Sequence, residues 1–285
     1  MTVDVCAIDD AQMAAVGQFL NQHLNQRVPA EAWVRAVQVP WKVEAPNRGF
    51  LLRDDGRVVG AYLAFYSQRM IDGAREDFCN LGAWCVLPEY RLHSLRLLKA
   101  LLAQDGYTFT DLSPSGTVVP LNERLKFRHL DTTTAMLPGL PWPSVPGRVR
   151  ITTDRAEIER SLSGRELEIY QDHAEAAAAH HVLIRRGNTS CYVIFRKDRR
   201  KNIPVFASIL YVSDAETFQA TARTLTRHLL LRHGVLVTLA EPRVVGRRPR
   251  LSIMLKQPRR KMYKSTHLEP DRIDYLYSEL VCVGW

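Results

Sequence analysis

The spacing of apolar residues divides the first part of the chain into short strands and helices. Residues 3–8 alternate as a strand does, and Met13, Val16 and Leu20 recur at the steps of an amphipathic helix. Asp54-Asp55-Gly56 lies between two apolar runs and predicts a tight hairpin. Up to the middle of the chain, the pattern predicts the element order βααβββαβαβ, in which the final strand covers residues 129–137.

The hydrophobic period changes at Pro88. The apolar run of residues 77–88 stops there, which suits the end of a strand because proline lacks an amide donor. Leucines then follow at three- and four-residue steps, at positions 92, 95, 98 and 102. We therefore predict a strand that ends near Val86 and a helix that begins at about Arg91.

A proline-rich stretch separates the two halves. Residues 137–147 hold four prolines and two glycines, which is typical of a stiff connection. We predict a first domain over residues 1–137, a linker over 138–147 and a second domain over 148–285. In the second half, the pattern predicts an alanine-rich helix around residues 165–181 and a helix over residues 215–234 with Asp214 as its N-cap. The second half also repeats the strand, strand, helix, strand order of the first, so the expected fold class is α/β (α+β) with two mixed-sheet units.

Composition indicates an ordinary globular protein. Apolar residues make up 46% and charged residues 24% of the chain, and no run approaches the length of a membrane span. The five cysteines form no C-x-x-C pair, which argues against a zinc site and a disulfide framework. We expect a cytoplasmic protein with no membrane span and no metal.

The positive charge is concentrated in the second half. Residues 1–145 carry 14 − 15 = −1 and the remainder carries 25 − 15 = +10. This asymmetry indicates either an anionic partner, such as nucleic acid, a lipid headgroup or a phosphate, or a merely solvated basic surface. Arg259-Arg260-Lys261, with Tyr263 and Lys264, interleaves basic and aromatic groups and is the candidate contact.

The segment Val86–Arg96 contains the chemically informative pattern. It joins a strand to a helix, and successive amides at a helix start can hold a pyrophosphate. Arg91 and Arg96 would add charge-assisted hydrogen bonds. An ordinary strand-to-helix turn is the alternative interpretation.

This segment resembles motif A of the GNAT superfamily of acyl-coenzyme A N-acyltransferases, V-x-P-x-x-R/Q-x-x-G-x-G/A. Val86, Pro88 and Arg91 agree with it, whereas Ser94 and Arg96 replace the two glycines. A later helix, residues 122–128, resembles the family's late helix, with Asn122 at a position that often contacts the pantetheine arm. The resemblance implies a tandem GNAT-like protein whose degenerate second unit completes the acceptor cleft.

The same resemblance implies a set of site residues. The strand ending at Val86 should separate from the one around Asp111 and leave a V-shaped gap for the pantetheine. Glu76 and Asp77 are the candidate bases, and Ser113 or Ser115 could protonate the leaving thiolate. The expected cofactor contacts are Cys85, Val86, Arg91, Leu92, His93, Ser94, Leu95, Arg96 and Asn122.

Cysteine chemistry gives an alternative route. Cys79 and Cys85 are six residues apart on one predicted strand, which places them on the same face and makes a cysteine acyl-enzyme conceivable. Buried structural cysteines are the competing interpretation.

The resulting hypothesis is transfer of an acetyl or longer acyl group from acyl-CoA, as co-substrate, to an amine. The acceptor would be a small and anionic molecule such as an amino acid, an amino sugar or a sugar nucleotide. The alternative is a non-catalytic GNAT-like module that regulates or binds nucleic acid, and the loss of glycine at Ser94 and Arg96 supports it.

Overall fold

The computed structural model describes residues 3–143, 149–200 and 202–284; residues 144–147 of the predicted linker lie outside these ranges. The strands are β1 Asp4–Ala7, β2 Gly49–Asp54, β3 Arg57–Ile71, β4 Ala74–Val86, β5 Tyr107–Asp111, β6 Arg128–His129, β7 Ala135–Pro138, β8 Arg150–Thr152, β9 His180–Arg186, β10 Thr189–Arg200, β11 Ile203–Val212, β12 Val237–Ala240, β13 Ile253–Met254 and β14 Met262–Lys264. The helices are α1 Met13–His23, α2 Ala30–Val37, α3 Ser94–Leu102, α4 Val119–Arg124, α5 Arg155–Ser161, α6 Gly164–His173, α7 Ala215–His233, α8 Pro242–Val245 and α9 Glu279–Cys282.

Two compact units divide the chain, and their bounds differ from the predicted ones. The first unit contains Met1–Leu130, Arg260–Ile273 and Tyr277–Trp285, and the second contains Asp131–Arg259 and Asp274–Leu276. The C-terminal segment returns to the first unit because β14 pairs with β5 and β6 there. Likewise, β7 lies in the second unit because it pairs with β12 and β13. Sequence periodicity carries no information on such long-range pairing.

The first unit is built on a seven-stranded sheet in the order β1-β2-β3-β4-β5-β14-β6. Its pairs are antiparallel except β4 and β5, which run parallel. The predicted hairpin between β2 and β3 is confirmed, and Asp55 and Gly56 both have positive φ, at 46° and 77°. This is the combination that a two-residue type I′ turn requires.

The strand predicted over residues 129–137 is wrong in one respect, since it is two strands in different sheets. β6 ends at His129, and β7 begins at Ala135. Between them, the Thr133 amide donates to the Asp131 carboxylate at 2.9 Å, a local turn that interrupts the extended chain.

The helix after Pro88 differs from the predicted one. Residues Pro88–His93 form a 3₁₀ segment, and α3 begins at Ser94 rather than at about Arg91. A 3₁₀ segment has three residues per turn, which shifts the face that later residues present. The buried leucines are therefore Leu97, Leu98 and Leu101, and Leu92 is 95% exposed.

The second unit has a seven-stranded sheet in the order β13-β7-β12-β11-β10-β9-β8. α7 packs on it through Phe218, Leu225 and Leu229, which share a buried cluster with Val193 and Phe195 of β10. Asp214 caps α7 by accepting from the Thr217 amide at 2.6 Å, as its position before the helix predicts.

One helix prediction in the second unit is too long. The alanine-rich segment is helical only to His173, the end of α6, and His180 and His181 open β9 instead. The histidine Nδ1 of residue 181 is 2.7 Å from the Tyr192 hydroxyl, so this side chain is part of the sheet's polar packing. None of the helices in the described part of the chain has the length and apolar character needed to cross a bilayer.

Candidate functional site

The hydrogen-bonded pairing between β4 and β5 stops before either of these strands ends. Their parallel register runs from Asp77 opposite Tyr107 to Asn80 opposite Thr110, although β4 continues to Val86. Two parallel strands that lose their hydrogen bonds leave backbone groups available to a third chain-like partner. The family resemblance implied a gap between Val86 and the Asp111 region. The early end of the β4–β5 pairing is consistent with such a gap.

A bulge distorts β4 beside this gap. Against β3, Gly82 lies opposite Leu63 and Cys85 opposite Ala61, so β4 holds one extra residue, and Ala83 has a φ of +57°. Positive φ in a non-glycine residue is uncommon and often marks a functional position. Trp84 stacks on Tyr62 with ring centroids 4.6 Å apart, which holds the bulge in place.

Because of the bulge, Cys79 and Cys85 do not lie on one face of β4, contrary to the prediction from their spacing. Cys79 lies opposite Tyr66 and Cys85 opposite Ala61, and these β3 partners are five residues apart. Residues an odd number apart point to opposite faces of a strand, so the two thiols do not share a face. Burial raises the pKa of the Cys85 thiol to about 11 and raises that of Cys79 as well. Neither thiol is activated as a thiolate nucleophile.

A buried carboxyl lies where the two strands separate. Asp111, the last residue of β5, is 4% exposed and accepts a 2.8 Å hydrogen bond from the Asn122 amide of α4. Asn122 is fully buried, and its Oδ1 has no hydrogen-bond partner among the residues that the structure describes. A buried carbonyl without a donor is costly, so this oxygen is suited to accept from a ligand.

A second carboxyl comes from the C-terminal helix. Glu279 opens α9, is fully buried, and accepts a 2.6 Å hydrogen bond from the Ser113 hydroxyl. Its amide donates to the Asn80 side chain at 2.9 Å. Gly82 makes room for it, because a Cβ at that position would lie 3.1 Å from the Glu279 Cβ. The helix is thus placed against the bulged part of β4.

The two carboxyls influence each other's charge. Burial raises the pKa of Asp111 to about 7; the Asn122 hydrogen bond opposes this rise, and the nearby Glu279 charge adds to it. Burial of an ionised carboxyl without a cation favours the protonated form. Asp111 therefore changes protonation near neutral pH, which is the range in which a general base works best.

A pocket of about 480 Å³ opens at the loop after β5 and at α4. Two of its lining residues are sequence neighbours of the site, since Pro114 follows Ser113 and Glu123 follows Asn122. Arg260 is the cation on its wall, one of the basic residues that the sequence singled out. The lining residues are Pro114, Gly116, Val119, Pro120, Glu123 and Arg260.

At Tyr90 and Ser94, donors of the predicted pyrophosphate-binding turn form hydrogen bonds within the turn itself. The Tyr90 amide donates to the Leu87 carbonyl at 3.0 Å, and both the amide and the hydroxyl of Ser94 donate to the Arg91 carbonyl. These bonds follow from the 3₁₀ geometry, in which each amide bonds three residues back. Of the remaining predicted contacts, His93 is half-buried, and Leu92 and Leu95 are exposed.

Arg96 does not lie over the helix start. Its guanidinium donates to the Val3 carbonyl at 2.6 Å, beside the first strand of the sheet. The side chain is therefore directed towards the start of β1. Arg91 is exposed, and Cys85 and Val86 are half-buried at the end of β4.

The candidate bases Glu76 and Asp77 lie in β4 before Asn80, where its pairing with β5 stops. Glu76 precedes Asn80 by four residues, which is about 13 Å along a strand at ~3.3 Å per residue. Both oxygens of Glu76 contact the His267 imidazole at 2.9–3.0 Å, and Asp77 accepts from Gln68 at 2.7 Å. They are local partners of neighbouring side chains, and we do not retain them as catalytic candidates.

Similar solved structures share this architecture. A GCN5-related N-acetyltransferase from Anabaena variabilis is 13% identical with a TM-score of 0.58, over 92% of this chain and 72% of that one. One from Kribbella flavida is 17% identical with a TM-score of 0.54, over 92% and 71%. The chain has a GNAT fold. No family model and no curated protein matches the sequence.

Another solved structure aligns over nearly the whole chain. Saccharomyces cerevisiae N-myristoyltransferase with bound myristoyl-CoA is 11% identical with a TM-score of 0.50, over 99% of this chain and 85% of that one. The alignment includes both mixed sheets of the GNAT fold found here. The similarity is one of architecture, since the identity is low.

Sequence reasoning missed the most buried part of the site. Asp111 was placed at the gap but given no chemical role, because nothing in YTFTDLS marks it as buried. Glu279 was missed entirely. It lies far along the chain from Asp111, and only the return of the C-terminal segment to the first unit brings the two together.

Proposed function

We propose that the first unit transfers an acyl group from acyl-coenzyme A to an amine, with the Asp111–Glu279 carboxyl pair as the proton acceptor. The observation that carries this proposal is a buried pair of carboxyls at the point where β4 and β5 stop pairing. An amine that attacks a thioester must lose a proton, and a carboxyl with a pKa near neutrality is matched to that task.

The gap between the strands supports a place for the pantetheine arm. Its peptide-like amides could bond the unpaired backbone beyond Asn80 and Thr110. Asn122 would accept one further hydrogen bond through Oδ1, which is buried and otherwise without a donor among the described residues. Bound there, the coenzyme supplies a thioester carbonyl that is open to attack.

The chain's own residues have separable roles. Asp111 takes the amine proton, and Asn122 holds the Asp111 carboxyl in position through its 2.8 Å hydrogen bond. Ser113 donates to Glu279 and fixes the second carboxylate, whose charge adds to the rise that burial causes in the pKa of Asp111. The exposed Arg91 and the remaining amides of the 3₁₀ segment after Pro88 would hold the coenzyme's phosphates.

The pocket lined by α4 and Arg260 suggests an acceptor class. Arg260 on its wall would bind a carboxylate or phosphate, which supports a small anionic acceptor such as an amino acid or a sugar nucleotide. Arg260→Gln should raise the KM of an anionic acceptor and leave that of a neutral amine unchanged. A rise in the KM of acyl-CoA instead would assign Arg260 to the coenzyme's phosphates.

Release of the free coenzyme A thiol tests the reaction itself. Acetyl-CoA and myristoyl-CoA are each offered with a panel of amino acids, amino sugars and amino-sugar nucleotides. We expect amine-dependent thiol release that falls by about 10²-fold or more in Asp111→Asn, the loss typical of a missing general base. The exposed Asp105→Asn variant is the matched control and should keep full activity.

A non-catalytic module is the second candidate, because the 3₁₀ segment occupies the Tyr90 and Ser94 amides. Thermal unfolding with coenzyme A separates the two, since a ligand at ~100 times its Kd stabilises by about 2.7 kcal/mol. An unchanged unfolding temperature with every acyl length would favour the module, and a salt-sensitive gel shift would favour nucleic acid as its partner.

A further inference from the structure

A basic loop of the second unit combines exposed cations with exposed aliphatic side chains. The loop is residues 246–257, GRRPRLSIMLKQ, which hold four Lys or Arg and no Asp, Glu or aromatic residue. It follows α8 and carries β13, an edge strand of the sheet. We call it the 246–257 loop.

Two aliphatic side chains of this loop are exposed. Leu251 is 56% exposed with a φ of +58°, and Ile253 is 68% exposed. Arg250 and Lys256 flank them and are also exposed. Exposed single aliphatic residues are common, but two at a loop tip between cations form a surface that is both apolar and positive.

The loop is held in a fixed shape. Gln219 of α7 donates to the Val245 and Arg247 carbonyls, each at 2.8 Å. The Ser252 hydroxyl donates to the Pro249 carbonyl at 2.6 Å, and Arg248 donates to the Ser252 carbonyl at 2.7 Å. Because these bonds already hold the tip in place, the loop does not have to become ordered when it binds.

We propose that the 246–257 loop docks the protein on the surface of an anionic phospholipid bilayer. Leu251 and Ile253 enter the boundary between headgroups and acyl chains, and Arg250 and Lys256 lie against the lipid phosphates. The neighbouring sequence of the second unit supports this direction of charge, since residues 242–259 hold six Lys or Arg and no Asp or Glu. Two of these six, Arg247 and Arg259, pair with Glu216 and Asp198.

Other occupants fit this surface less well. A nucleic acid would gain little from aliphatic tips, because single strands stack on aromatic rings and the loop has none. A second copy of the chain in a two-fold contact would set the same cations against each other. A bilayer matches both the charge and the apolar tip.

Vesicle co-sedimentation of the full chain tests the proposal. The vesicles are phosphatidylcholine alone and phosphatidylcholine with phosphatidylserine, each at low and high salt. We expect partition into the anionic vesicles at least about tenfold above that into neutral ones, and a decrease with salt. Arg250→Glu/Lys256→Glu should abolish the preference for anionic vesicles, and Leu251→Ser/Ile253→Ser should weaken binding by about tenfold.

Matched variants elsewhere in the second unit keep the result interpretable. Leu231 is 60% exposed and Arg186 is exposed, so Leu231→Ser and Arg186→Glu change the same residue types away from the loop. Both should bind as the parent does, and circular dichroism checks that every variant is folded. Equal sedimentation with neutral and anionic vesicles, loop variants that bind like the parent, or tight nucleic-acid binding without vesicle binding would each overturn the proposal.

Discussion

Removal of the Asp111 charge should stabilise the protein at neutral pH. Asp111→Asn keeps the shape of the side chain and an oxygen that can accept from Asn122, but it cannot ionise. In the wild-type protein the pKa of Asp111 rises from 3.8 to about 7 on folding, chiefly through burial. A raised carboxyl pKa means that the folded state resists ionisation that the unfolded state undergoes freely.

The size of the effect follows from that rise. A difference of about three pH units, at ~1.36 kcal/mol each, is worth about 4 kcal/mol. Below pH 4 both states are protonated, and the full stability is present. As the pH rises from about 4 to about 7, the unfolded state loses its proton first, so the wild-type protein loses stability relative to the variant. Above pH 7 the difference should level off.

Chemical denaturation at a series of pH values measures this difference. The free energy of unfolding of Asp111→Asn minus that of the wild type should increase between pH 4 and pH 7 and then stay constant. Asp105→Asn, at an exposed carboxyl, should show no such increase. Parallel curves for Asp111→Asn and the wild type would refute the reasoning, because they would mean that Asp111 ionises equally in both states.

Two further predictions concern packing and capping. Gly82→Ala brings a Cβ to 3.1 Å from the Glu279 Cβ and should lower the unfolding free energy by about 1–3 kcal/mol. The control Gly116→Ala, whose Cβ would meet nothing within 4 Å, should lower it much less. Equal losses would mean that α9 does not pack on Gly82. Asp214→Ala removes the cap of α7 and should lower the unfolding free energy by about 1 kcal/mol, whereas Asp214→Asn retains the cap. An Asn variant as unstable as the Ala variant would contradict the capping role of Asp214.

Local sequence patterns predicted the elements that depend on nearby residues. The β2–β3 hairpin, the Asp214 cap and the order of strands and helices in the first half follow from turn residues, capping residues and apolar period. The pattern fails where backbone geometry changes within an element. The 3₁₀ segment before Ser94 and the bulge at Ala83 each shift the face of every residue that follows.

Long-range placement could not be predicted from the sequence. Nothing in residues 260–285 indicates that they return to the first unit, so Glu279 was not connected with Asp111. The family resemblance implied a gap between the strand ending at Val86 and the one around Asp111, and only the structure places the end of pairing at Asn80 and Thr110. The chemistry at the edge of the gap depends on burial in the folded chain. Glu76 and Asp77 came from the same resemblance, as carboxylates on a strand, and the resemblance did not measure their distance from the gap.

The pH dependence of kcat/KM for amine-dependent coenzyme A release tests the proton-accepting role of Asp111 most directly. The wild-type rate constant should rise with pH and level off near pH 7, where Asp111 becomes ionised. Glu279→Gln should move this rise to lower pH, because the Glu279 charge adds to the pKa of Asp111, and Asp111→Asn should remove the rise. An unchanged rise in Asp111→Asn would contradict the account and assign the proton acceptor to another group.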